Sequence, residues 1–160
     1  MNPRSILIID DNDQIRAFLR EALEQAGYSV LEASDGRKGL RQFRQTPTAL
    51  VITDVLMPDG DGLEVTMALR RGSPTVKIIV LTGVAEEGGF LKVATLLGAH
   101  RAMRKPVAIT DLVRAVEQAL QEGADSNGPG AGSVLMEPDT RIRGGKSSDR
   151  YFLTDLSQIV

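Results

Sequence analysis

Ile6-Leu7-Ile8-Ile9-Asp10-Asp11 and Ala49-Leu50-Val51-Ile52-Thr53-Asp54 are the two stretches on which the fold turns. Each is a short apolar run, rich in β-branched residues, that stops at acid. A run of this length without polar alternation reads as a strand buried on both faces, as in a parallel sheet covered by helices. If the two strands are adjacent and parallel, three carboxylates gather at one edge of the sheet. Like charges so placed repel, and the cluster is costly unless protons or a divalent cation relieve it. The pattern points to Mg²⁺-dependent phosphoryl chemistry.

Outward from these two strands, apolar runs of four to six residues alternate with helical spacings from Ser5 to about Glu122. Ile15, Phe18, Leu19, Ala22 and Leu23 recur as one face of a helix that Asn12 or Asp13 caps and Gly27 ends. Tyr28 to Glu32 reads as a second strand and Gly36 to Gln45 as a second helix. After Asp54 come the turn residues Met57-Pro58-Asp59-Gly60-Asp61-Gly62, then a helix from Leu63 to Arg71. Val76 to Leu81 is a buried strand finishing at Thr82-Gly83. The next helix, from about Glu86 to Leu97, contains Gly88-Gly89, so its first turn should be weak. Arg101 to Arg104 is a shorter, less apolar strand before Lys105-Pro106. Ile109, Leu112, Val113, Val116 and Leu120 mark a last amphipathic helix ending at Gly123.

Five strands alternating with five helices predict a three-layer α/β fold, a (βα)5 doubly wound parallel sheet. By analogy with such sheets the strand order is 2-1-3-4-5, which opens a crevice between strands one and three at their carboxyl ends. The expected organisation is a first domain over 1–123, a flexible Gly-rich linker over 124–150, and a short apolar C-terminal segment over 151–160. That last segment, with Tyr151, Phe152, Leu153, Leu156, Ile159 and Val160, is too short to fold alone. Its removal with the linker should leave the first domain's chemistry intact and alter self-association or partner binding.

Composition narrows the function. An apolar fraction of 42% supports a core, built from Leu, Val, Ile and Ala because Trp is absent and aromatics are few. The formal charge is −2, and the first 122 residues hold 15 Lys/Arg against 16 Asp/Glu, so no basic arm suggests nucleic acid or an anionic membrane as partner. The absence of Cys excludes disulfides, thiol catalysis and thiolate metal sites. The first apolar run meets the Asp pair too soon for a signal peptide, and no stretch approaches the roughly 20 apolar residues that span a bilayer. The expectation is a soluble, cytoplasmic protein.

Phosphoryl transfer needs an in-line nucleophile, a metal to neutralise charge, and a cation on the phosphoryl oxygens. Asp54 can be the nucleophile, Asp10 and Asp11 can hold Mg²⁺, and Lys105 can supply the cation. Thr82, at the end of the fourth strand, adds a hydroxyl to the same crevice. Taken singly, each has a plainer reading: an Asp after a strand is usually a turn former, and a lone Lys is usually solvated. Asp59 and Asp61 read as turn residues. His100, the only histidine, reads as a solvent-facing loop residue without a function.

Ile9-Asp10-Asp11-Asn12, Asp54 through Gly62, Thr82-Gly83 and Lys105-Pro106, in this order and each at a strand end, resemble the receiver domain of two-component response regulators. The resemblance covers about residues 4–122. It implies that a sensor histidine kinase or histidine phosphotransfer protein passes a phosphoryl group to Asp54 with Mg²⁺ bound. It also implies that the Leu56 carbonyl is a metal ligand and that the Lys105–Pro106 bond is cis. Thr82 would move toward the phosphoryl group and bias a switch surface on helix four, strand five and helix five. The chain departs from the family at Ala102, where an aromatic is usual three residues before the Lys; a methyl group cannot rotate inward behind the Thr.

The resulting expectation is a stand-alone regulator that is no enzyme beyond its own phosphorylation and dephosphorylation. It would signal through a downstream protein partner, with a homodimer also open, and without nucleic acid or membrane. One alternative is a receiver fragment of a larger regulator. Another is a Mg²⁺-dependent phosphohydrolase of the haloacid dehalogenase type, which Asp11-Asn12-Asp13-Gln14 faintly echoes, although the Gly-Thr continuation and late acid pair of that class are missing.

Overall fold

Side chains alternate across a strand, so a strand covered by helices on both faces must be apolar at every position. The middle of this sheet obeys that rule. The computed structural model describes residues 4–57, 62–83 and 89–122. In chain order they form β1 (Ser5–Ile9), α1 (Asp13–Gln25), β2 (Ser29–Ala33), α2 (Gly36–Gln45) and β3 (Leu50–Asp54). There follow α3 (Gly62–Gly72), β4 (Lys77–Thr82), α4 (Gly89–Leu96), β5 (Arg101–Arg104) and α5 (Ile109–Gln121). All strands are parallel, in the order β2-β1-β3-β4-β5, and this is the doubly wound (βα)5 sheet that the residue pattern predicts.

On one face Leu7, Ile9, Val51, Ile78 and Val80 pack with Phe43 of α2, Val65 and Leu69 of α3, and Ala94 of α4. On the other, Ile6, Ile8, Ile52, Ile79 and Leu81 pack with Leu19 and Leu23 of α1 and with Leu112, Ala115, Val116 and Ala119 of α5. Each fully buried Leu or Ile contributes about 1.5–3 kcal/mol. The edge strands β2 and β5 are less buried and less apolar, in keeping with one unpaired side. That accounts for the polar look of Arg101–Arg104.

Local signals set the helix ends. The Asn12 side chain accepts from the amides of Gln14 and Ile15 at 2.9 and 3.1 Å, which makes it the N-cap of α1. Asp35 caps α2 by accepting from the Lys38 amide at 2.7 Å. Gly27 follows α1 with φ +87°, a conformation that favours glycine. Two details differ from the apolar periodicity. Phe18 is 56% exposed, because the buried line of α1 runs through Leu19 and Leu23 and leaves Phe18 on the flank. On α5, Ala115 and Ala119 are core, since small residues let the helix lie close to the sheet.

His100 keeps the exposure expected of it but adds hydrogen bonds that the residue order does not show. Its residue is exposed, yet Nδ1 accepts from Arg70 at 2.8 Å and from the Ile78 amide at 3.2 Å. An arginine is always a donor, so Nδ1 is unprotonated and the ring proton sits on Nε2. Arg70 also donates to the carbonyls of Gly98 and Pro74 at 2.7 and 2.6 Å. These bonds tie the end of α3 to the turns before β4 and β5, at the amino ends of the strands.

Among the described residues no helix is long and apolar enough to cross a membrane. The expectations for Asp59 and Asp61, for the start of the fourth helix at 86–88, for the end of the first domain at Gly123, for the linker 124–150 and for the segment 151–160 lie outside the described residues.

Candidate functional site at the carboxyl edge of the sheet

Strand register puts the acids together. Ile9 of β1 is level with Thr53 of β3, so Asp10, the next residue, stands beside Asp54. Asp11 follows on the turn into α1. One carboxylate oxygen from each of Asp10, Asp11 and Asp54 lies within 4.8 Å of the others. The three differ in environment: Asp10 is buried, Asp54 partly buried and Asp11 exposed.

Lys105 reaches the same point from the end of β5. Its Nζ donates to Asp10 Oδ2 at 2.7 Å and to Asp54 Oδ2 at 2.6 Å. Its amide donates to the Thr82 carbonyl at 2.7 Å, and the Lys105–Pro106 bond is cis. Burial pulls the Lys105 ammonium down. The hydrogen bonds and charges of Asp10 and Asp54 outweigh it, and the group ends above its ordinary pKa. It is therefore a permanent cation at neutral pH, held between two acids.

Every polar group of Asp10 is engaged. Its amide donates to Ala33 O at 3.2 Å, its Oδ1 accepts from the Asn12 amide at 2.9 Å, its Oδ2 takes Lys105, and its carbonyl accepts from Arg16 Nη1 at 2.7 Å. The Asp54 Oδ1 accepts from the Leu56 amide at 3.3 Å. Leu56 itself is 54% exposed and meets the site through that amide. Thr82 is buried at the end of β4, one residue beyond Leu81, which pairs with Asp54. Ala102 is partly buried against the core face that α4 covers, in register with Val80.

The donor set suits a hard cation. Oxygens around an ion bound at about 2.0–2.1 Å stand about 3–4 Å apart, close to the spread of these three carboxylates. Three carboxylates against one ammonium leave negative charge in excess, and both oxygens of exposed Asp11 are open for coordination. The residues fit Mg²⁺ with several retained waters.

Two residues of the site escaped the sequence reading. Arg16 is one of 19 cations in the chain, and nothing in its spacing says that it turns back to Asp10. Gly62 stood only as a turn residue, although a Cβ built on it would lie 1.8 Å from the Asp54 carbonyl oxygen. The first turn of α3 is thus packed directly on the backbone of the candidate acceptor, and the Gly62 amide donates to Val55 O at 3.0 Å.

Comparison with known proteins gives one consistent answer. PhoP of Bacillus subtilis, an alkaline phosphatase synthesis transcriptional regulatory protein, is 36% identical over 154 residues, which cover 96% of this chain and 59% of PhoP. The response regulator receiver protein CpdR of Brucella abortus is 32% identical over 122 residues, covering 73% of this chain and 97% of CpdR. A response regulator receiver domain protein of Clostridium thermocellum superposes with a TM-score of 0.71 at 33% identity, over 75% of this chain and 96% of that one. The chain thus spans about three fifths of the length of PhoP and nearly all of CpdR. The family model described as response regulator receiver domain matches residues 6–117, and the chain belongs to that family.

Proposed function

We propose that the domain is a phosphorylation-controlled switch that accepts a phosphoryl group on Asp54 from a phosphohistidine of a partner protein. The observation that carries this reading is the convergence of Asp10, Asp11, Asp54 and Lys105 at one edge of the sheet. In the transfer, an Asp54 carboxylate oxygen attacks phosphorus, the P–N bond to the donor imidazole breaks, and an aspartyl phosphate forms. Asp10, Asp11, Asp54 and the Leu56 carbonyl would hold Mg²⁺, which when bound neutralises charge on the phosphoryl oxygens. Lys105, freed from its bond to Asp54 when that oxygen becomes the bridging oxygen of the acyl phosphate, is placed to grip a phosphoryl oxygen. Thr82, buried at the end of β4, would offer its hydroxyl to the same crevice.

On this reading the protein is no enzyme towards other substrates; it promotes only its own phosphorylation and the hydrolysis of its aspartyl phosphate. The output is binding to another protein in the cytoplasm. The surface carrying it includes α4, where Val93 and Leu96 are 41% and 85% exposed. Ala102 means that coupling from Thr82 to this surface runs through backbone shifts in β4 and β5 rather than through an aromatic rotamer.

The test is to treat the protein with a small phosphodonor and Mg²⁺ and locate the label by peptide mass spectrometry. Label on Asp54, abolished by EDTA, is expected. Label on Asp11 with turnover of added phosphomonoesters would instead support a hydrolase, and no label would remove the reading.

A further inference from the structure

Asp11 is the most exposed of the three acids, and among the described residues no hydrogen bond is made by its side chain. A free carboxylate samples many rotamers, so its contribution to a cation site depends on how well its backbone is aimed. The peptide unit that aims it is Asp10–Asp11, whose oxygen is the Asp10 carbonyl. That oxygen accepts from Arg16 Nη1 at 2.7 Å.

Arg16 is itself well anchored. It stands in the first turn of α1 with its side chain 14% exposed, its Nη2 pairs with Asp13, and its Nε lies 3.8 Å from Glu32 of β2. The guanidinium fork therefore joins three things: the turn that carries the acids, the start of α1, and the edge strand. Arg20 makes a useful contrast. It is one turn further along α1 and pairs with the same Glu32, at 3.0 Å, but among the described residues its side chain meets only Glu24 and Glu32.

We propose that Arg16 is a positioning residue for the cation site: by holding the Asp10 carbonyl it sets the direction in which Asp11 is presented. The proposal rests on the reading of the acidic trio as a Mg²⁺ site. It assigns to Arg16 no contact with the phosphoryl group and no part in proton transfer. Its effect is on cation affinity, through the geometry of a turn that neither Lys105 nor Asn12 controls at that oxygen.

The experiment is calorimetric titration of MgCl₂ into EDTA-stripped, full-length protein, with the melting temperature of each variant measured in EDTA. Arg16→Met should bind Mg²⁺ about tenfold more weakly than wild type, in the range seen when a group that orients a metal ligand is removed. Arg16→Lys should recover most of that loss, because one ammonium still reaches the carbonyl. Arg20→Met, which breaks an ion pair to the same glutamate, should leave the affinity unchanged. If Arg16→Met does not fold, Arg16→Gln, whose head is too short to reach Asp10, reads the same loss. Wild-type affinity in the Met or Gln variant overturns the proposal, and so does an equal loss in Arg20→Met. Failure of the wild type itself to bind Mg²⁺ overturns the underlying site and the proposal with it.

Discussion

The two ends of the parallel sheet handle charge in opposite ways. At the amino ends of the strands, Arg70 is spent entirely on carbonyls and on the unprotonated His100, and the ions and dipoles there satisfy one another. At the carboxyl ends, three acids face one lysine, and the most exposed acid has no partner among the described residues. The first arrangement gains stability by closing turns. The second leaves charge unmet, which lowers stability and creates affinity for a cation and a phosphoryl group. A fold built from covered parallel strands can carry both, because strands of four to six residues hold the two ends roughly 15 Å apart, beyond the Debye length of about 8 Å.

If this division is right, substitutions at the two ends should separate cleanly. The largest effect is expected for Asp54→Ala: a beryllium fluoride mimic with Mg²⁺ should bind wild type and show no binding to the variant in fluorine NMR, whereas the melting temperature should not fall. Gly62→Ala should break the separation, since its methyl group would collide with the Asp54 backbone. Overpacking against backbone should cost about 3 kcal/mol in urea unfolding and weaken mimic binding as well. Arg70→Met should cost about 2 kcal/mol, from unsatisfied Gly98 and Pro74 carbonyls, while Mg²⁺ affinity stays at the wild-type value.

The smallest effect concerns pH. Burial, with the nearby Lys77 and Arg70 charges, lowers the His100 pKa from 6.5 to about 4. The unfolded chain then takes up a proton at higher pH than the folded one. Stability from this group is whole above pH 6.5 and is lost as pH falls towards 4. With solvent screening of the exposed residue the loss is about 1 kcal/mol. His100→Asn, which keeps an acceptor without titrating there, should show a flatter stability curve over that interval. An equal slope in both proteins would remove the histidine from the Arg70 hydrogen-bond network.

Legibility in the residue order varied with the range of the interaction. The five strands and helices could be read because burial on two faces leaves unbroken apolar runs such as Ile6–Ile9 and Lys77–Thr82 is flanked by turn residues. Asp10, Asp11, Asp54 and Lys105 could be read because each sits at the end of such a run. Arg16 and Arg70 could not, because a long cation on a helix surface looks the same whether it meets water or a carbonyl. Phe18 was misplaced because a helical stripe has flanks as well as a centre, and only packing shows where the centre falls. His100 is exposed as read, but its bonds to Arg70 and Ile78 were not legible, because exposure of the residue says nothing of where one ring nitrogen points.

What the chain determines by itself is the set of strands, their buried character, and the acids and lysine that terminate them, since these depend on local composition and on spacing of two and 3.6 residues. The tertiary structure alone decides that Ile9 is level with Thr53, that Lys105 spans Asp10 and Asp54, and that Gly62 touches the Asp54 backbone. All but the last join residues tens of positions apart. They follow from which strands pair and in what register, and that is settled by the packing of the two helical layers rather than by any single stretch of residues.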